Sequence, residues 1–538
     1  MKKHLATTLL VSLMLTSCGD SSKQAQAPSF VASEGQVLVS DPVPKNANFY
    51  AASRFLEQAS WGPNTASVAD VQRSGQTAWI DRQLALPASI LRAPNYVIDF
   101  SDENQAARDL AHGWIQLRFM DLAMGGEDQL RQRMTWALFN FIVANGNPYG
   151  RVEYMNTLQK NALGSFSDLI KGISLSPIMG TFLNNDQNEA NRPNENYARE
   201  LMQLFTVGLV LLNQDGTLQR DASGKPIETY TQQDVIEATK ALSGWQPAWE
   251  ANLPQQNWGN FGVPMRPKSW SGAHSAEQKK VLGKIIPAGQ GIEKDLDSLI
   301  AILVNHPNTA PFVARRLIQS LVTSNPSPEY MTRVSKVFVS SGGNLGQVAK
   351  AILLDPEART GDSPLNQKPI VGKIKEPLLH HINLLRGMNC TAAVRDRNNV
   401  NSPFLNGEQR VLDAPSVFGY FPPDHKAPES LTPAPEQKLL NSRAFRDRAG
   451  GLSWHLEITS NFTNAGCDID AFIKASERSP EELVQLISTR YFKGAMPAPL
   501  REGALNLLGS ALLNEPHLRK VAMLIETMST TPTFGVIK

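Results

Sequence analysis

Apolar residues recur along most of this chain at spacings of three and four, the period of a helix with one buried face. The first stripe runs over Phe49, Ala52, Phe55, Leu56 and Ala59, with Asn48 placed to cap it. Further stripes cover 106–124, 130–144, 195–207, 231–243, 296–305 and 311–322, then 330–339, 345–354, 377–386 and 516–528. Strand patterns are scarce. The exception is 209–230, where Asp215-Gly216 and Ser223-Gly224 punctuate short alternating runs and predict a small inserted β-hairpin. Two stretches lack a period: 249–290, rich in Pro, Gly, Asn and Trp, and 389–435, dense in Pro, Asn and Asp. The pattern predicts a mainly α fold, a multi-helical array with the hairpin and two long irregular loops. The loops serve as seams between helical parts over 48–248, 291–388 and 436–538.

The N-terminus follows a different rule. Lys2 and Lys3 precede an apolar run over 9–15, too short to span a bilayer, and small residues follow. Residues 1–17 therefore read as a secretory signal peptide. The ending Leu15-Thr16-Ser17-Cys18 resembles the lipobox of bacterial lipoproteins, which implies cleavage before Cys18 and lipidation of its thiol. Such a group would bind the membrane firmly, since stable attachment takes about two acyl chains. Gly19 in place of Asp leans towards the outer rather than the inner membrane, and Asp20 pulls the other way. Residues 18–47, made largely of Ser, Gln, Ala and Pro, read as a flexible tether. Cys390 and Cys467 remain as the other cysteines, either a disulfide of the oxidising envelope or two buried thiols.

Composition narrows the field further. At 538 residues, 41% hydrophobic and 19% charged, the chain is an ordinary globular protein. Lys plus Arg is 52 against 50 for Asp plus Glu, and removal of residues 1–17 takes Lys2 and Lys3 and makes the counts equal. A neutral chain without a basic run gives no footing to nucleic acid as a partner. There is no His-Glu-x-x-His, Cys-x-x-Cys, Gly-x-Ser-x-Gly or phosphate-binding glycine loop. No metal or cofactor is indicated. Asn213, Asp215 and Gly216 suggest a calcium loop, but Leu211 and Ala222 stand where the first and twelfth ligands belong.

Several blocks carry a family resemblance. They are Arg54-Phe55-Leu56-Glu57-Gln58-Ala59-Ser60-Trp61-Gly62-Pro63, Asn194-Glu195-Asn196-Tyr197-Ala198-Arg199-Glu200-Leu201, Tyr230-Thr231-Gln232-Gln233-Asp234-Val235 and Ser243-Gly244-Trp245. Arg315-Arg316-Leu317, Lys375-Glu376-Pro377 and Ala414-Pro415-Ser416-Val417-Phe418 extend it over roughly 48–530. The chain resembles a widespread bacterial family, domain of unknown function 1800. The resemblance implies a largely helical envelope or secreted protein, often paired with a phosphatase- or sulfatase-like partner, and supplies no reaction. The family commonly has His-Asp where this chain has His274-Ser275.

The candidate site follows from the most polar helix starts. Asn194 can cap a helix in which Glu195 and Arg199, and Asn196 and Glu200, lie four apart. Thr231 and Asp234 form a capping-box pattern, and Asp234 with Glu237 shares a face. These residues have structural roles available. The functional expectation is a polar seam in which Asn194, Glu195, Asn196, Arg199, Tyr230 and Trp245 bind a ligand. The first hypothesis is a binding or assembly role towards an envelope polymer or partner protein. The alternative is a hydrolase of envelope glycans or esters using Glu200, Asp234 and His274.

Overall fold

Helices form where the stripes fall, and side-chain caps set many of their starts. Asn64, Ser165, Thr231, Ser327, Asn344 and Ser479 each accept the backbone N–H three residues on. The computed structural model describes residues 47–91, 105–146, 148–249, 260–363, 372–391, 409–446, 448 and 467–538. The signal peptide, Cys18 and nearly all of the tether lie outside them, as do parts of both irregular loops. The fold is mainly α, and its sheets are two-stranded and antiparallel. Among the described residues, no helix is long and apolar enough to cross a membrane.

Local differences have local causes. Asn48 lies inside the Ala47–Ala59 helix, and its Nδ2 donates to Gln72 O at 3.2 Å instead of capping. Thr65–Ser74 and Gln76–Ala85 are helices that the stripes miss. Each has ten residues, and Gly75 at φ 81° separates them, so an 11-residue window averages across the break. The arm over 209–230 is irregular, with bridges Val210–Glu228, Leu212–Leu218 and Arg220–Pro226. Within 249–290 the chain forms a second hairpin, Lys279–Val281 against Lys284–Ile286. Its turn residues, Leu282 at φ 50° and Gly283 at φ 75°, fit a type I′ turn, whose usual Asn or Asp is absent from the sequence.

One apolar cluster joins buried residues from Ala52 to Ile537. At its centre Trp136 stacks on Tyr420 at 5.8 Å and on Phe139 at 5.6 Å. The C-terminal strand Val536–Ile537 pairs with Lys373–Ile374. Cys390 and Cys467 are joined as a disulfide across 77 residues, a closure worth roughly 4 kcal/mol in the chain-entropy model.

Charged groups are also buried here. Glu57 accepts from Lys375 Nζ and Lys493 Nζ, both at 2.8 Å, and Lys375 also donates to Asn383 Oδ1 at 3.0 Å. Burial alone would push the Glu57 carboxyl up, but the two ammonium groups outweigh it and hold it at about 2. Burial pushes Lys375 down to about 8, against the pull of Glu57. Removing one member of a buried ion pair strands the others, at about 3–5 kcal/mol. Glu57→Gln is therefore expected to lower unfolding stability by that order in urea. Glu57 titrates lower folded than unfolded, so its contribution is complete above about 4.5 and fades as pH falls towards about 2. The difference between wild type and Glu57→Gln should shrink across that window; a constant difference would show that the carboxylate charge is not what stabilises.

Candidate functional site

Of the two polar helix starts, Thr231 caps as its pattern predicts, whereas the N-cap before Asn196 is Glu195, without a side-chain cap, and Asn194 stands one residue further out. The helix begins at Asn196, and Asn194 Oδ1 accepts the Asn196 backbone N–H at 3.1 Å. Glu195 pairs with Arg199 at 2.9 Å, and Gln232 bonds to both, at 2.8 Å to Glu195 and 2.9 Å to Arg199. The Asn196 side chain turns away from Glu200 and donates to Asn184 Oδ1 at 3.0 Å. Glu200 is half-buried with Oε2 unpartnered; burial raises its pKa, against the pull of Arg199. Tyr230 lies within electrostatic reach of Arg199 and Glu200. The structure thus brings Glu195, Arg199, Glu200 and Tyr230 together. Trp245 is buried in the core, 2% exposed, behind Gly244.

Asp234 and His274 are placed elsewhere, at the two ends of the Gln232–Ala241 helix. Asp234 Oδ2 completes the capping box with Thr231, and Oδ1 accepts Leu282 N at 2.7 Å. Glu237 Oε2 accepts Lys280 N at 3.1 Å, so these two carboxylates clamp the second hairpin. His274 Nδ1 sits 2.8 Å from Ser243 O, and Nε2 3.0 Å from Asp295 Oδ2. Lys279 Nζ donates to the same Asp295 carboxylate. The buried Asp295, on another helix, thus holds both His274 and Lys279. Seven helical residues, 235–241, lie between Asp234 and the turn at Ser243, roughly 11 Å of axial rise, so the structure does not bring Asp234 to His274. Among the described residues, no group of three or more His, Cys, Asp and Glu is arranged to hold a metal.

A cleft opens beyond the C-terminal end of the polar helix. There the backbone widens into a π-helix over Leu201–Phe205, a form frequent at functional sites, and Gln203 and Leu204 reach the cleft wall. Its volume is about 510 Å³, within the range of small-molecule sites. The arm around Gly208–Leu218 forms one side, held by Asn308, whose Nδ2 donates to Val207 O at 2.6 Å and Val210 O at 2.9 Å. The Thr309–Leu321 helix supplies Phe312, Arg315 and Arg316, and the loop over 417–436 closes the far side. Leu209, Leu218 and Phe418 form an exposed apolar rim.

The cleft's charges are unevenly satisfied. On the floor, Lys373 Nζ donates to Ser320 O at 2.8 Å and pairs with Glu436 at 2.8 Å. Glu436 is buried, its other oxygen has no partner, and burial raises its pKa against the pull of Lys373. Arg315 donates to Gly216 O. Arg316 has only a ring for company: among the described residues no hydrogen bond or ion pair holds its guanidinium, which lies over Phe312 at 5.0 Å. Burial pushes Arg316 down to about 10, against the attraction of Asp424, so it is charged at neutral pH.

Fold and cleft describe an α-helical protein with a built pocket and, among the described residues, no cluster arranged to hold a metal. The chain belongs to the family described as protein of unknown function (DUF1800), whose model matches residues 54–536. No curated protein and no solved structure matches it.

The contacts of His274 give a direct expectation. His274→Ala removes a bridge between Ser243 and the buried Asp295, and should cost about 1–3 kcal/mol in urea unfolding. Unchanged stability would show that the bridge holds nothing in place.

Proposed function

We propose that this protein is a cell-envelope lipoprotein, attached through lipidated Cys18 to the outer membrane, whose cleft binds a polymer of the envelope. One observation carries the reading: a cleft of about 510 Å³ bounded by Leu209 and Phe418, each 55% exposed, and Leu218, 39% exposed. Contiguous apolar surface around a concave site marks a place where something docks. Its floor adds buried polar atoms without partners, Ser320 Oγ and Glu436 Oε2, which the polar groups of a ligand can meet.

The hydrolase alternative has weaker support. Asp234 spends both oxygens on backbone and cap contacts. His274 meets Asp295 at 3.0 Å and the Ser243 hydroxyl at 3.3 Å, but that hydroxyl is buried, donates to Lys240 O at 2.7 Å and accepts Ser275 N at 3.0 Å. Glu200 keeps a free oxygen, but no hydrogen bond among the described residues joins it to Asp234 or His274.

Two measurements test the reading. In co-sedimentation with polymer isolated from the host envelope, wild type is expected to pellet. The double variant Leu209→Asp, Phe418→Asp should bind at least about tenfold more weakly with its melting temperature kept, because both side chains are exposed. Equal pelleting by the variant would sink the cleft as the binding site, and co-purification of a single protein in its place would favour an assembly role. For the anchor, Cys18→Ser should move the protein from the detergent-rich to the aqueous phase on phase separation. A variant that stays with detergent would remove the lipid.

A further inference from the structure

The wall of the cleft carries three cations, Arg315, Arg316 and Lys373, against two carboxylates, Asp424 and Glu436. Lys373 and Glu436 cancel in their ion pair, which leaves two guanidinium groups opposite one exposed carboxylate. Arg315 is anchored to the arm through Gly216 O. Arg316 is not anchored at all: it is half-buried in the cleft wall, and among the described residues no hydrogen bond or ion pair takes up its donors, which leaves them open to a ligand in the cleft. A planar fork of this kind matches the two oxygens of a carboxylate or phosphate, which it binds in parallel hydrogen bonds.

The rest of the wall says what carries the anion. Phe312, Phe418 and Phe421 offer flat apolar faces, while the side-chain amides of Gln203 and Gln319 stand among them. Flat apolar faces interleaved with amides suit a sugar ring, whose C–H face is apolar and whose hydroxyls both donate and accept. We propose that the cleft recognises an acidic glycan, with a carboxylate or phosphate held by Arg316 and the sugar ring laid against Phe312 and Phe418. This deepens the envelope-polymer reading and rests on it. Arg316 is then the anchor of specificity, and Arg315 adds charge without a fixed contact.

The test uses the mature soluble chain and three defined probes in calorimetric titrations. They are a glucuronic-acid tetrasaccharide, a phosphorylated hexose and a neutral glucose tetrasaccharide. At least one anionic probe should bind, at least about tenfold more tightly than the neutral one, and its affinity should fall with added salt. Whichever anionic probe binds identifies the group as carboxylate or phosphate. Arg316→Gln should weaken that probe by about 10–100-fold, the worth of a charge-assisted pair, and Arg316→Lys by less. The salt dependence of wild type keeps the test decisive should Arg316→Gln fail to fold. Equal binding of the neutral tetrasaccharide, or no loss in Arg316→Gln, would overturn the acidic preference while leaving the cleft as a glycan site. Failure of all three probes would overturn the proposal, and the rim variants would then decide separately whether the cleft binds polymer.

Discussion

Four successive residues, Lys373 to Glu376, hold the molecule together. Each of the three charged ones is buried and each takes its partners from a different part of the chain. Lys373 pairs with Glu436 and donates to Ser320 O. Lys375 joins Glu57 of the first helix, which Lys493 meets from the other side. Glu376 accepts from Trp136 Nε1 at 2.9 Å, Gln409 Nε2 at 2.6 Å and Asn140 Nδ2 at 3.3 Å. A charge taken out of water is costly unless its partners are in place, so these contacts form together or the segment cannot be buried. Ile374 adds the backbone pairing with Val536 that brings in the C-terminus.

The cleft inherits its geometry from that segment. Lys373 faces the floor, while Lys375, two residues on, is fixed in the body by Glu57. The floor cannot shift without disturbing the network beneath it. The walls are set less rigidly. The arm is held by Asn308, which bonds to Val207, Val210 and the Leu212 N–H, by Gln214 donating to Pro307 O at 3.2 Å, and by Arg315 reaching Gly216. Gly216, at φ 77°, permits the turn that Arg315 grips. On the proposed reading, a charged floor under a pegged apolar arm would select the chemistry of a ligand more strictly than its length.

Much of the fold was readable from periodicity, because an amphipathic stripe longer than ten residues has few other places to go. The polar helix start and the Thr231–Asp234 box were readable for the same reason: capping chemistry is local. The disulfide was left open by the sequence, since two cysteines 77 residues apart reveal nothing of their separation in space. The second hairpin was hidden by Leu282, which occupies a positive-φ position where Asn or Asp would have advertised the turn. The cleft was the least readable part. Its wall gathers residues 137–141, 203–218, 312–320, 373 and 417–436, and no spacing rule connects them. Arg315-Arg316 and Val417-Phe418 stood within the family's blocks, but nothing local distinguished them from core-facing helix and loop residues.

That contrast explains why the polar seam and the proposed binding cleft are not the same place. A polar residue that stands out in sequence does so because local rules govern it, and local rules satisfy it: Asp234 by its cap and hairpin, Glu195 by Arg199 and Gln232. A group kept for a ligand has the opposite signature. Its donors or acceptors are left over after the fold has been completed, which only the assembled structure displays. Arg316 fits that description, since it lies on an otherwise ordinary amphipathic helix with both neighbouring charges, Arg315 and Lys373, already bonded to the chain. Within the seam Glu200 Oε2 and the Trp245 indole N–H are also left without partners, and Glu200 precedes the π-turn that carries Gln203 into the cleft wall. At the cleft, Arg316, Ser320 and Glu436 keep groups that the fold leaves over, whereas the locally satisfied residues belong to the scaffold that holds it open.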